Sequence, residues 1–453
     1  MGQKTEFTKP IKELGYDPKS PDSILKHGEL LIGKSLVSYL GSDENIDMAR
    51  KGGLGAAVEL YVFHLKPNNR PGPDFTEAGI ELKTSPLKKV KNKLVSKERL
   101  VMNMIDFMHE ELEDFNKSSF WKKNSRLLLI FYLYKKGQPK KKYEFKIVRL
   151  WDFPETDLKI IKDDWKTIVK MIASGKAHEI TERGTTYLGA CTKASNSTKT
   201  RPQPFACVPA KPRAYSLKSS YLNAIIDQSL AKKVEPAVKS LSEYNQDESF
   251  EDLVVRKFKA WYGTSQTEFA SKFNLKSTKA KNFSYSVARR ILGVDKKFIE
   301  EFQKADIELK TIRLLNNGRL KEAMSFKNID YFNILKETWD DSVWREILSK
   351  RFFFVVFKED MDGNSKLEKV FFWSMPDKDL ESIKTVWMAT KEKIANDDFS
   401  SFPKSSEHSI AHIRPKGRNS RDLTDAPSGR RVKKYCYWLN REYILKILNK
   451  NIV

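Results

Sequence analysis

Asp74, Glu81 and Lys83 are the residues whose types and spacing could do chemistry. They lie in the stretch Pro73-Asp74-Phe75-Thr76-Glu77-Ala78-Gly79-Ile80-Glu81-Leu82-Lys83. Ile80 to Lys83 alternates apolar and charged, the period of a half-buried strand. Ile80 and Leu82 then face a core, while Glu81 and Lys83 share the opposite face. The turn-prone run Pro67-Asn68-Asn69-Arg70-Pro71-Gly72-Pro73 lets the chain fold Asp74 back beside Glu81. Two converging carboxylates are what Mg²⁺ asks for, with its other positions left to water and substrate phosphate. Lys83 beside them could orient an attacking water or stabilise charge in the transition state. This is the chemical outline of a phosphodiesterase. Glu-x-Lys by itself is common and usually a solvated strand face; the preceding Pro-Asp, the strand pattern and a second copy lift this one above that.

Several elements must position these groups. Gly52 to Phe63 reads as a largely apolar helix after a glycine-rich entry, and it carries Glu59. A buried acid is costly unless paired or metal-bound, although Glu59 on the solvent edge of that helix fits the pattern equally well. Lys97 to Glu113 looks helical, with acids clustered at its end. Leu127 to Tyr132 is short, apolar and β-prone, which predicts a buried strand. Lys123 stands just before it, within reach of a site at a sheet edge, or simply solvated. Ile147 to Trp151 is expected as another strand, and Asp157 to Ala173 as a helix ending at Gly175. Gly33-Lys34-Ser35-Leu36 lacks the first glycine of a phosphate loop and a preceding strand, so it is read as the start of a helix.

The 453 residues are enough for about two or three domains. A net charge of +24 suits either nucleic acid or an anionic membrane as partner. The basic residues are spread through folded-looking segments rather than gathered in one amphipathic helix, which favours nucleic acid. No run of about 18 apolar residues could span a membrane, and the first residues lack the apolar core of a signal peptide. The three cysteines, Cys191, Cys207 and Cys436, have no paired spacing for zinc or a disulfide framework. A reducing cytoplasm is the expected setting. Tyr187 to Arg213 reads as a long irregular segment carrying Lys193, Ser195, Asn196, Ser197, Lys199, Arg201 and Lys211 with few acids. Long basic loops tend to be functional, and these residue types can read base edges as well as hold phosphates; a plain surface loop is the alternative.

The second half repeats the first. Ala78-Gly79-Ile80-Glu81-Leu82-Lys83-Thr84 returns as Ala305-Asp306-Ile307-Glu308-Leu309-Lys310-Thr311. Trp151, Pro154, Asp157, Leu158, Ile161 and Trp165 return as Trp373, Pro376, Asp379, Leu380, Ile383 and Trp387, and Tyr215, Leu217 and Tyr221 as Tyr437, Leu439 and Tyr443. The offset drifts only from 227 (Ala78 to Ala305) to 222 (Tyr221 to Tyr443). The same order of elements implies the same fold twice. Asp74 aligns with Glu301, but Glu59 aligns near Arg289 or Arg290 and Lys123 near Ile347 or Leu348. An arginine there discourages a metal. The second copy instead has a basic stretch with Arg414, Lys416 and Arg418, expected to bind DNA beside a decayed site.

In combination, Gly55-x-x-x-Glu59, Asp74 with Glu81-x-Lys83, the Trp165 helix, Lys193-Ala194 and Ala214-Tyr215-Ser216-Leu217-Lys218 resemble the MutH mismatch-repair endonuclease family, and more closely the two-domain type II restriction endonucleases that cut GATC. The resemblance covers most of the chain. It implies an α/β fold of the restriction-endonuclease-like (PD-(D/E)xK) class with an α+β mixed sheet, present as two tandem domains. These are a catalytic domain over 1–230, a linker over 231–250 and a second, DNA-binding and regulatory domain over 251–453 that is catalytically inactive. It implies Mg²⁺-dependent cleavage of both strands of GATC-containing DNA 5′ of the G. Asp74 and Glu81 would ligate the metal with Glu59 supporting the site, Lys83 would be catalytic, and Lys123 would be a further active-site lysine. Lys193, Ser195, Asn196, Tyr215, Ser216 and Lys218 would contact DNA. The family carries tyrosine at the Ser216 position, so sensitivity to adenine methylation is open here. A dimer, or a DNA loop held on two sites, is compatible with the resemblance, as is a bacterial cytoplasmic location. A MutH-type nicking enzyme, or a non-catalytic DNA-binding regulator with the same fold, are the alternative functions.

Overall fold

Leu127 to Phe131 are five apolar residues in a row with no exposed surface, and a strand buried on both faces belongs inside a sheet. The computed structural model describes residues 4–43, 46–48, 53–67, 70–90, 93–110, 114–193, 199–229, 236–278, 280, 282–296 and 298–450. It forms β1 (Glu81–Val90), β2 (Lys93–Ser96), β3 (Leu100–Met104), β4 (Arg126–Leu133) and β5 (Glu144–Asp152) before the helix Glu155–Ala173. After that helix come β6 (Leu188–Thr192), β7 (Arg201–Gln203), β8 (Ala206–Ala210) and β9 (Arg213–Leu217). The main sheet has the order β2-β1-β4-β5, with β4 inside as expected. β1 and β4 are parallel, placing Glu81 opposite Leu127 and Lys83 opposite Leu129. β5 is antiparallel to β4. A second sheet, β3-β9-β6, and the hairpin β7-β8 complete this half.

Pro154 opens the Glu155–Ala173 helix, acids occupy its first turn, and Ile160, Ile161, Trp165, Ile168 and Ile172 form its buried stripe. Gly175, at φ 67°, turns the chain away after it. Asp164 on the same helix is buried, and burial pushes its carboxyl up to about 6 although it accepts backbone N–H groups from Thr186 (2.6 Å), Tyr187 (2.6 Å) and Leu188 (2.9 Å). That carboxyl ties the helix to the start of β6.

Two expectations are corrected. Residues 97–110 are not a helix: they contain β3 and turns, with Leu100 and Met102 buried while Val101 and Asn103 are only half-buried. Alternation over five residues is a strand period, and β3 pairs with β9 more than a hundred residues later. Residues 111–113 lie outside the described residues. The described parts of the segment 187–213 are not irregular either, because they hold β6, β7 and β8; residues 194–198 lie outside the described residues. The helix expected after Gly33 is present as Leu36–Leu40, N-capped by Ser35.

The chain divides into two compact units: residues 1–249 with 298–305, and residues 250–297 with 306–453. The second unit contains β10 (Ile307–Leu314), β11 (Met324–Asn328), β12 (Arg351–Glu359), β13 (Ser365–Ser374), the helix Asp377–Ala395, β14 (Ala411–Pro415), β15 (Leu423–Asp425), β16 (Arg431–Lys433) and β17 (Tyr435–Leu439). Its sheets are β10-β12-β13, β11-β17-β14 and β15-β16. β10 is parallel to β12 and β13 antiparallel to it, the same senses as β1, β4 and β5. A matched detail sits in each unit. Tyr221 donates to Asp157 at 2.9 Å, and Tyr443 donates to Asp379 at 2.7 Å.

The helix Glu300–Ala305 packs within the first unit. Lys304 reaches both carboxylate oxygens of Asp157 at 2.8 Å and Glu300 at 2.8 Å. Glu301 accepts the backbone N–H groups of Ala237 (2.8 Å) and Val238 (2.9 Å). Among the described residues, no helix is long and apolar enough to cross a membrane.

Candidate active site

Glu81 is the first residue of β1 and is buried, while Lys83 two residues on is half-buried. The Lys83 ammonium donates to Glu81 Oε1 at 2.6 Å. The turn before β1 brings Asp74 back as the sequence suggests. Phe75 and Ile80 form an isolated bridge, Asp74 N donates to Glu81 Oε2 at 3.2 Å, and Leu82 N donates to Asp74 Oδ2 at 2.9 Å. Each carboxylate is thus oriented by the other residue's segment. Residues 68–69 of the upstream run lie outside the described residues.

Glu59 arrives from the other side. The short helix Leu54–Ala57 passes into a π-helical turn, Val58–Val62, which carries Glu59; such turns cluster at functional sites. Gly55 allows the approach, since a Cβ there would meet Thr84 Oγ1 of β1 at 2.9 Å. Lys123 ends the helix Ser119–Asn124 just before β4. Its ammonium lies 3.6 Å from Glu81 Oε1 and donates to the carbonyls of Arg70 and Gly72, each at 3.2 Å. Glu59, Asp74, Glu81, Lys83, Lys123 and Lys193 line one cavity of about 890 Å³.

Three carboxylates face two lysine ammonium groups, and the electrostatics record the surplus. Burial, then the charges of Glu81 and Glu59, push Asp74 up to about 8. Burial and Glu81 push Glu59 up to about 6, against the pull of Lys83 and Lys123. Asp74 therefore holds a proton at neutral pH, which a bound cation would displace. Asp74 and Glu81 are a hard-oxygen pair suited to a divalent ion completed by water and phosphate. Among the described residues, no three acid, histidine or cysteine side chains converge as a metal cage. Glu59 lines the same cavity, and its charge is felt by Asp74.

The expected DNA contacts divide. Lys193 is exposed on the cavity rim, its N–H bonded to Pro212 O at 2.8 Å. Ser195 and Asn196 lie outside the described residues. Tyr215 and Ser216 are corrected to buried supports, because both lie inside the central strand of the β3-β9-β6 sheet. Lys218 is likewise drawn inward, donating to Thr185 O at 2.5 Å. The sequence reading missed Glu110, a buried carboxylate on the cavity wall that accepts from Tyr215 OH (3.1 Å) and Ser119 Oγ (2.5 Å). An acid closing the turn that starts at Asp106 carries no periodic signal. In the second unit Arg414 stacks over Trp438 at 5.1 Å, Lys416 donates to Phe326 O at 2.6 Å, and Arg418 is exposed.

Comparison with known proteins identifies relatives of the whole chain and of its halves. A family model described as the DNA mismatch repair enzyme MutH matches residues 63–164 and again 294–385. The type II restriction enzyme Sau3AI of Staphylococcus aureus is 35% identical over 447 residues, 90% of each chain. The DNA mismatch repair protein MutH of Shewanella woodyi is 26% identical over 220 residues, covering 47% of this chain and 94% of that protein. MutH of Shewanella baltica is 24% identical over 218 residues, 47% of this chain and 96% of its own. With that identity and coverage, the chain belongs to the MutH-like family of DNA endonucleases, alongside the type II restriction enzymes.

Proposed function

We propose that this chain is a Mg²⁺-dependent type II restriction endonuclease that cuts both strands of double-stranded DNA at GATC, 5′ of the G. We assign catalysis to a domain of about residues 1–230 and an allosteric DNA-binding role to about 251–453, joined by 231–250, as tandem copies of the restriction-endonuclease-like PD-(D/E)xK fold. The observation that carries this reading is the oriented pair of Asp74 and Glu81 with Lys83, Lys123 and Lys193 around the same cavity. Asp74 and Glu81 would hold the metal, which when bound supplies Lewis-acid activation of the scissile phosphate. Lys83, held at 2.6 Å from Glu81, is placed to orient a water or to donate to a phosphate oxygen as charge develops there. Lys123 holds the Arg70–Gly72 carbonyls and so steadies the loop that delivers Asp74. Glu59 adds negative charge that favours cation binding.

Digestion of a mapped supercoiled plasmid with Mg²⁺, followed by sequencing of the ends, tests the proposal. Linear products with ends 5′ of the G of GATC are expected. Products that stop at nicked circles would support the nicking alternative, and no cleavage the regulator.

A further inference from the structure

The loop that delivers Asp74 and the helix that delivers Glu59 reach the cavity from different directions, and something must fix their separation. The segment from Lys4 to Thr8 touches both. On one side, Phe7 bridges to Leu65, Thr8 N donates to His64 O at 2.7 Å with Thr8 Oγ1 at 3.2 Å, and Lys66 N donates to Glu6 O at 2.9 Å. These residues are the exit of the π-helical turn, and Leu65 N returns a bond to the carbonyl of Glu59 itself at 2.9 Å. His64 sits there at φ 52°, a conformation that costs a non-glycine residue and persists only when its surroundings impose it. On the other side, Thr5 Oγ1 donates to Asp74 O at 3.0 Å and accepts from Thr76 N at 2.8 Å. The Arg70 guanidinium closes the contact on Lys4 O and the Glu6 carboxylate.

We infer that the Lys4–Thr8 segment is a strap that sets the spacing of the two carboxylate arms, with Thr5 as the positioning residue for Asp74. The inference rests on the reading of Asp74 as a metal ligand. Asp74 is fixed toward β1 by Glu81 Oε2, by Leu82 N and by the adjoining Phe75–Ile80 bridge, and Thr5 adds an anchor from another part of the chain. A single hydroxyl can do this because it donates to one backbone group and accepts from another two residues on. Outer-shell partners bonded to a ligand side chain are typically worth about 10–100-fold in metal affinity; Thr5 acts on the Asp74 backbone instead, so the lower end of that range is expected.

The test uses the full chain and the metal alone. Mn²⁺ binding is followed by electron paramagnetic resonance of the free ion, together with the Mg²⁺ dependence of plasmid cleavage, in Thr5→Val, Thr5→Ala, Thr5→Ser and Asp74→Asn. Valine matches the shape of threonine but makes neither bond, and alanine provides the same loss should valine not fold. Both should weaken Mn²⁺ binding about 10-fold and raise the Mg²⁺ midpoint by a similar factor, with cleavage at saturating Mg²⁺ within a few-fold of the parent. Serine should restore both to within about 2-fold, because it keeps the hydroxyl. A merely structural Thr5 would lower the melting temperature and leave both metal midpoints unmoved, which overturns the inference. If Asp74→Asn binds and cleaves like the parent, the ligand reading itself has failed. If Asp74→Asn is inactive while Thr5→Val keeps the parent's midpoints, the strap alone is wrong.

Discussion

Glu81 and Glu308 begin matching strand registers, yet they sit in different environments. Each precedes a lysine by two residues, and each lies opposite the second residue of its parallel neighbour, Leu127 in β4 or Phe352 in β12. The Glu81 side chain is 4% exposed and bonded to Lys83 at 2.6 Å; that of Glu308 is 41% exposed and 3.3 Å from Lys310. Lys310 leans over the Phe326 ring, 5.0 Å from its centre. The carboxylates of Glu81, Asp74 and Glu59 outnumber the nearby ammonium groups of Lys83 and Lys123. Around Glu308, Asp306 is taken by Lys350 at 2.7 Å, and Arg289 and Arg290 stand on the helix that corresponds to the Glu59 helix. Glu301, the sequence counterpart of Asp74, is spent on the N–H groups of Ala237 and Val238. The capped helices that precede β4 and β12, Ser119–Asn124 after Ser118 and Val343–Leu348 after Ser342, place the half-buried Ile347 where the first unit has Lys123. Burial and surplus acid leave the carboxylates around Glu81 short of positive charge, the condition that would favour a cation, and the surroundings of Glu308 lack it.

The largest effect should come from dismantling the group around Glu81. Asp74→Ala, Glu81→Ala and Lys83→Ala should each lower plasmid cleavage by about 10³-fold or more, while DNA binding measured with Ca²⁺ stays within a few-fold. Loss of binding together with cleavage in all three variants would mean a structural role and erase the contrast with Glu308.

A second contrast separates the two tyrosine–aspartate pairs, buried in the first unit and half-buried in the second. Asp157 in the first unit also holds Lys304, whose side chain is 5% exposed; Tyr443 and Asp379 form the corresponding pair in the second. Lys304→Met strands Asp157 and Glu300 without their cation and should cost the first unit about 3–5 kcal/mol. Tyr443→Phe removes one hydrogen bond to a charged group and should cost the second about 1.5–3 kcal/mol. Urea unfolding followed by probes in each unit reads both, and equal losses would show that Lys304 adds nothing.

Lys193→Ala should weaken binding to GATC by about 1–3 kcal/mol more than binding to random DNA. A uniform loss, with a salt slope shallower by about one, would make Lys193 a phosphate contact.

A smaller effect concerns pH. Asp74 titrates near 3.8 when unfolded and is pushed up to about 8 in the folded, metal-free protein, so the native state holds the extra proton between those values. The stability from this group is therefore full below pH 3.8 and is lost as pH rises through 8. In EDTA, Asp74→Asn should gain melting temperature over the parent progressively from pH 4 to 8. A difference that does not change with pH would mean that Asp74 is ionised throughout.

Much of the first site was legible because its elements are local and periodic. Ile80 to Lys83 alternates, Leu127 to Phe131 is continuously apolar, and the Glu155–Ala173 helix repeats at helical spacing between a proline start and a glycine stop. The repeat in the second half gave the order of its elements as well. β3 was hidden because its partner β9 is far away in sequence and the acids after it imitate a helix end. β6 was hidden because Gly189, Ala190 and Cys191 carry little strand preference, and the ladder with β9 and the Asp164 carboxyl hold it instead. Burial of Tyr215 and Ser216 could not be read from residue types that also suit DNA contacts. Thr5 carries no signal at all, since its role exists only once residues 74–76 fold back against it.

Plasmid cleavage by the joint variant Glu308→Ala with Lys310→Ala most directly tests whether the first site alone performs the chemistry. Supercoiled substrate should still pass to linear product at a rate within a few-fold of the parent, with both strands cut. Accumulation of nicked circles by that double variant would contradict this, because each unit would then be cutting one strand.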